Sequence, residues 1–375
     1  MVKISKRASQ IIKSGIRGFT NGNIQYDLTI GQPDFDVPLI LKESIKKAVD
    51  HNHNGYITTG GEFFIRELII SHLKKQYPLL AHSESHNVII TSGVTGGLYS
   101  AFLTLLNNKD EVLLADPYFS PYLDIIKLAG GTPKLIDTYP DFMITAQKIE
   151  TAITSKSKIL LLNSPNNPTG KIIPYSELVK IVQLCKKHNI IIFSDEIYES
   201  YIYNGKYTSI FDITDEAVVF RGFSKSHGAT GWRIGYLVAP IEIATVIERI
   251  QGKIYVSAPS ITHYTIPEAL DFDNQPFMEL LRTRRDTILS IFKPVFSNLT
   301  CDGGFFAFLD ITGTCNINAD AFIEILRKKK VAVLPGRIFS KKNTHCRISL
   351  TCDTNKLRQA AEIINESVLE IRSKV

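Results

Sequence analysis

Short runs of apolar residues, each bounded by polar or glycine-containing turns, recur from residue 87 onward. Ile190-Ile191-Ile192-Phe193 is representative. A continuous apolar run of this length suits a strand covered on both faces, because alternate side chains point to opposite sides of a sheet. On this pattern strands are predicted at 87–91, 111–115, 132–136, 158–163, 190–194, 217–223 and 235–239. Between most of them lie helical stretches at 96–106, 118–129, 174–188 and 241–253. Two further helices are predicted ahead of them, at 39–50 and 61–77, the latter from the helical spacing of Phe64, Leu68 and Leu73. Strands alternating with helices make a mostly parallel, doubly wound α/β sheet over 46–275. The pattern then changes. A long helix at 274–296, a run at 303–309, a helix from 319, strands at 331–334 and 347–351 and a last helix predict a smaller α+β domain over 276–375. The irregular arm 1–45 is expected to pack with it.

A length of 375 residues accommodates two domains at roughly 150 residues each. Hydrophobic residues at 44% and charged ones at 21% fit a protein with a sizeable core. The net charge of +6 is spread without a basic stripe, which argues against nucleic acid. Lys328-Lys329-Lys330 reads as the solvated end of an amphipathic helix. Cys185, Cys301, Cys315, Cys346 and Cys352 are odd in number and scattered. They suit neither a disulfide framework nor a zinc site, and fit a reducing cytoplasm. The first fifteen residues lack an apolar core and so form no secretory signal, and no apolar stretch is long enough to span a membrane. His51, His53, His82 and His86 sit in polar, turn-like stretches without a completing ligand, so no metal is expected.

The candidate chemistry collects where the predicted strands end, which is where ligands bind in open parallel sheets. Ser92-Gly93-Val94-Thr95-Gly96-Gly97 opens a helix after the first strand, a turn able to hold a phosphate at a helix amino terminus. Its spacing is neither that of a dinucleotide fingerprint nor that of a Walker loop. Asp116-Pro117-Tyr118-Phe119-Ser120-Pro121-Tyr122 offers aromatic faces. Ser164-Pro165-Asn166-Asn167-Pro168-Thr169-Gly170 presents side-chain amides on a rigid turn. Asp195-Glu196-Ile197-Tyr198 places a carboxylate at the end of an all-apolar strand, a costly position without a cationic partner. Finally, Ser224-Lys225 stands at the end of Val218-Val219-Phe220, with Arg233 between Trp232 and Ile234-Gly235 close behind. An amine, a carboxylate, amides, an aromatic and a phosphate-type turn on the ends of one sheet together match the needs of pyridoxal 5′-phosphate.

With those residues in view, the chain resembles the class I/II aminotransferases, pyridoxal-phosphate enzymes of fold type I. The resemblance runs from Gly31-Gln32-Pro33-Asp34-Phe35 to Arg347-Ile348-Ser349-Leu350. It is carried most specifically by Asn167-Pro168-Thr169-Gly170, Ser194-Asp195-Glu196-Ile197-Tyr198 and Ser224-Lys225 with Gly231-Trp232-Arg233-Ile234-Gly235. It implies that Lys225 carries the cofactor through a carbon–nitrogen double bond and then shuttles the proton between the substrate α-carbon and C4′. A free lysine is only about one part in 2,500 neutral at pH 7, so the site must favour the uncharged amine. The resemblance further implies that Asp195 pairs with the ring nitrogen, and that Tyr198 and Asn167 bond the phenolic oxygen. It assigns Phe119 to stacking on the ring, and Ser224, Arg233 and the amides of Val94 and Thr95 to the phosphate. Arg347, beside Gly31 and Asn167, is to grip the substrate carboxylate. Ile16 and Arg17 are to close over the substrate. Tyr56 is to reach the phosphate of a neighbouring subunit, which makes a homodimer. One position departs from the pattern: Gly222 stands where the family often has a serine, leaving one phosphate hydroxyl missing or replaced.

The expected activity is ping-pong transfer of an amino group from an L-amino acid to a 2-oxo acid, 2-oxoglutarate foremost. Ser14-Gly15-Ile16-Arg17-Gly18-Phe19 and Gly222-Phe223-Ser224-Lys225-Ser226-His227 are most similar to bacterial aromatic and N-acetyl-diaminopimelate aminotransferases. A carbon–sulfur β-lyase on the same scaffold is the alternative. A ligand-sensing regulator is not expected, since the 30 residues before Gly31 leave no room for a DNA-binding module.

Overall fold

The computed structural model describes residues 4–9, 11, 19, 23–83 and 85–374. Among the described residues there are twelve strands: β1 (Tyr26–Asp27), β2 (His86–Thr91), β3 (Glu111–Asp116), β4 (Thr132–Asp137), β5 (Ser157–Asn163), β6 (Ile191–Asp195), β7 (Val218–Gly222), β8 (Gly235–Pro240), β9 (Phe306–Asp310), β10 (Val331–Ala332), β11 (Leu334–Pro335) and β12 (His345–Ser349). Seven of them form one sheet in the order β2-β8-β7-β6-β5-β3-β4. Its pairs are parallel except those of β8, which runs antiparallel to both β2 and β7. The fold is therefore α/β with a mostly parallel, doubly wound sheet.

The apolar runs fill two separate cores, one on each face of this sheet. Leu160, Leu162, Ile192 and Val219 pack into one. Their neighbours Ile159, Leu161, Phe193, Val218 and Phe220 pack into the other. Alternation along each strand thus produces burial on both sides, and most polar residues fall at the strand ends. Around the sheet lie the helices Gly93–Leu105, Pro121–Leu128, Tyr175–Lys187 and Ile241–Ile254. The helix expected over 118–129 begins only at Pro121, because proline, lacking an N–H, suits the first helical turn.

A third core joins the two ends of the chain. Leu28 packs there with Phe305, Phe306, Ile348, Leu357 and Ile364. β1 pairs with β10, while β11, β12 and β9 form an antiparallel sheet. The single strand expected over 331–334 is in fact two short ones serving different sheets. Val333, between them, is buried in the third core.

Candidate active site

Four site groups follow directly from the sheet. The register aligns Asn163 of β5 with Asp195 of β6, Asp195 with Phe220 of β7, and Gly222 of β7 with Gly235 of β8, itself opposite Thr91 of β2. One edge of the sheet therefore presents Asn163, Asp195, the start of the helix Gly93–Leu105, and the one-turn helix Phe223–Ser226 that carries Lys225. Between them opens a cleft. Val94, Thr95, Phe119, Asp195, Tyr198, Ser224, Lys225 and Arg233 all line it.

The Lys225 amine donates to the Gly31 carbonyl at 2.7 Å. Burial, reinforced by the charges of Arg347 and Arg233 and opposed by Asp195, pushes it down to about 8. Asp195 is buried, and burial pushes its carboxyl up to about 6. What holds it at that level is a hydrogen bond from the Tyr122 hydroxyl at 2.5 Å and one from the Ile197 amide at 3.2 Å. Asn163 donates to the Asp195 carbonyl at 3.1 Å and accepts the Asn167 amide at 2.9 Å. The Asn167 side chain in turn donates to the Tyr198 hydroxyl at 3.4 Å.

Arg347 reaches this chain of bonds from β12. Its guanidinium donates to Asn167 Oδ1 at 3.1 Å and to the Thr29 carbonyl at 2.7 Å. It lies between the rings of Phe306 and Phe339, 4.3 and 4.5 Å from their centroids. Burial pushes it down to about 10, and no carboxylate among the described residues offsets that burial. Its Nε has no hydrogen-bond partner among the described residues. A buried cation in this state is expensive unless it waits for an anion.

At the other end of the cleft the 13-residue helix Gly93–Leu105 starts without a side-chain cap, and its first amides have no partner inside the helix. Arg233, at φ 54°, donates to the Thr230 carbonyl at 2.9 Å. A Cβ at Gly93 would stand 2.6 Å from Arg233 Nη2, so only glycine lets the guanidinium settle over the helix start. At 222, where a serine was expected, a Cβ would stand 3.1 Å from Gly235 Cα and 3.2 Å from the Ile234 carbonyl, a tight fit that the backbone of β8 would have to relieve by a small shift.

Gly31 and Asn167 are brought to the cleft through their bonds to Lys225 and Tyr198. Tyr56 does not line the cleft and is 92% exposed. Ile16 and Arg17 lie outside the described residues. Two residues that sequence reasoning did not single out belong to the site. Tyr122 was visible only as one aromatic among three beside prolines, and Asn163 only as the polar last residue of an apolar strand. Of the four histidines considered for a metal, His53 stacks on Tyr264 at 3.9 Å and His86 bonds the Asp215 carbonyl at 2.5 Å. No helix among the described residues is long and apolar enough to cross a membrane.

The chain is similar to known proteins over nearly its whole length. The sequence pattern of the family "Aminotransferase class I and II" matches residues 23–364. The chain is 34% identical over 387 residues to a probable N-acetyl-LL-diaminopimelate aminotransferase of Bacillus subtilis, covering 98% of this chain and 96% of that one. It is 31% identical over 372 residues to an aspartate aminotransferase of Thermotoga maritima, covering 97% and 95%. Among solved structures it is similar to the aspartate aminotransferase of Thermus thermophilus with maleate. The TM-score is 0.91 at 28% identity, over 98% of this chain and 100% of that one.

Proposed function

The chain belongs to the class I and II aminotransferases, which depend on pyridoxal 5′-phosphate, and from that premise we propose how its residues divide the work and which substrates it takes. The observation that carries the proposal is that the Lys225 amine, the Asp195 carboxylate and the Arg233 guanidinium line one cleft. The residues present fit the cofactor. Arg233, Ser224 and the uncapped amides of Val94 and Thr95 would hold its phosphate, in a cradle that a Cβ at Gly93 would fill. Asp195 would pair with its ring nitrogen, Tyr198 and Asn167 with its phenolic oxygen, and Phe119 with its ring face. When bound, the cofactor supplies an electron-withdrawing ring that stabilises negative charge at the substrate α-carbon.

Lys225 would hold the cofactor and serve as the base that takes the α-proton. The lowered proton affinity of its amine supports this role, since a general base works best when poised near the ambient pH. Arg347 binds the substrate carboxylate in a two-pronged grip, which would satisfy its unpartnered Nε and offset its burial. Gly31 and Asn167 set its direction through the segment Thr29–Gly31 and the bond from Arg347 Nη1. From the resemblance alone, Ile16, outside the described residues, is proposed as a substrate-binding residue.

The donor we propose is an aromatic or N-acetyl-diaminopimelate-type L-amino acid, and the acceptor 2-oxoglutarate. The donor's 2-oxo acid departs before the acceptor enters. We further propose a cytoplasmic homodimer in which Tyr56 reaches the neighbouring phosphate. Exposed Leu39, Ile40, Tyr56, Phe63 and Phe64, close together in the chain, support such a face. The test is to incubate the loaded protein with a panel of amino donors and 2-oxoglutarate and to measure glutamate. We expect glutamate from aromatic or acylated diaminopimelate donors and none with Lys225→Ala. No transfer from either donor class overturns the donor assignment. Pyruvate and ammonia from cystathionine without transfer overturns the reaction.

A further inference from the structure

The stretch 195–199 faces two ways. Asp195 and Tyr198 line the cleft, whereas Glu196 and Glu199 reach back to a single buried cation, Arg221 of β7. Arg221 Nε and Nη2 donate to Glu196 Oε2 at 3.1 and 2.7 Å, and Arg221 Nη1 stands 2.8 Å from Glu199 Oε2. The same guanidinium donates to the Tyr77 hydroxyl at 2.7 Å and to Ser209 Oγ at 3.2 Å. Glu196 is held from its other side by Ser194, Ser209 and the Ile210 amide. The arginine and Glu196 side chains are 4% and 1% exposed, so the bonds between those two are screened little by solvent.

We infer that Arg221 is a positioning residue, which fixes Asp195 and Tyr198 relative to Lys225 by clamping the residue that follows each of them. The inference rests on the roles given above to Asp195, Tyr198 and Lys225. Its logic is geometric. Glu196 is bonded to Asp195 along the chain and Glu199 to Tyr198, while Arg221 stands four residues before Lys225 on the neighbouring strand. Three groups that must meet one ring are thereby referred to one guanidinium. Glu196 adds a backbone tie, its amide donating to the Phe220 carbonyl at 2.9 Å. Arginine suits the task because its planar fork can serve two carboxylates at once, which a single ammonium cannot.

The test uses the loaded full-length protein. Arg221→Lys keeps the charge but loses the fork, and Glu199→Gln loosens only the second anchor. Three quantities are measured: equilibrium affinity for pyridoxal 5′-phosphate, the pH midpoint of the visible absorption, and the unfolding midpoint of the cofactor-free protein. We expect each variant to lose about tenfold in cofactor affinity, the loss of roughly one charge-assisted bond's worth of restraint, with a shifted absorption midpoint. If Arg221→Lys does not fold, Glu199→Gln decides the matter. Unchanged affinity and absorption midpoint in a folded variant overturns the inference, even where the unfolding midpoint falls, since that pattern belongs to a purely structural ion cluster. Failure of the underlying reading looks different: the wild-type chain itself shows no visible absorption that depends on Lys225.

Discussion

Placing a lysine amine in this cleft should cost the cofactor-free protein stability, and the cost can be measured by removing the amine. Lys225 falls from 10.5 to about 8 on folding, chiefly through burial and then through Arg347 and Arg233. At ~1.4 kcal/mol for each tenfold change in proton affinity, this corresponds to roughly 3 kcal/mol. Because the side chain is only half-buried, solvent screening trims the expected effect to about 2 kcal/mol. Its sign follows from which state binds the proton. Between about pH 8 and 10.5 the unfolded chain keeps a proton that the folded one has released, so stability rises with pH; below pH 8 the full penalty is present. Urea unfolding of the cofactor-free wild type and of Lys225→Met, at pH 7 and pH 10, isolates the contribution, since every other titrating group is common to both. We expect the stability of the wild type relative to the variant to rise by about 2 kcal/mol from pH 7 to pH 10. A difference that stays constant, or falls, refutes the claim that the folded state weakens this amine's hold on its proton.

Three further outcomes are expected. Arg347→Met should raise the KM for the amino donor about a hundredfold, the loss of a bidentate charge-assisted grip, while the loaded protein keeps its visible absorption; an unchanged KM would remove Arg347 from substrate binding. Tyr122→Phe deletes the hydroxyl that lowers Asp195, so the acidic limb of the kcat profile should move up by about one pH unit. A limb that stays in place would detach Tyr122 from the carboxylate's ionisation. Gly93→Ala meets a φ of 65° and a contact of 2.6 Å with Arg233. It should weaken cofactor binding about tenfold by displacing the guanidinium, and titration with pyridoxal 5′-phosphate checks this.

The large sheet was legible because its strands are mostly apolar and stop at polar residues. That one rule locates Asp195 and Lys225, and the named resemblance supplied their order and the part of Arg347. The same rule is silent where a polar group lies inside a strand or helix. Arg221 falls within a strand that reads as apolar, and only the folded chain shows that Glu196, Glu199 and Tyr77 converge on it. Tyr122 is indistinguishable in sequence from a packing aromatic. Its partner, 73 residues away, is set by the neighbouring strands. The tight room beside Gly222 was equally hidden, because it depends on how closely β8 passes β7. The split of the expected strand at 331–334 reflects a change of partner sheet, which hydrophobic pattern does not encode.

The hydrogen bond from Arg347 to the Thr29 carbonyl joins residues 318 positions apart. Such a contact forms late, because most of the chain must be synthesised and ordered before its ends can meet. On the ribosome the sheet carrying Asp195 and Lys225 can assemble while the carboxylate grip does not yet exist. The nascent protein would acquire its cofactor pocket before it can hold an amino acid, a sequence that pulse-labelled maturation would reveal.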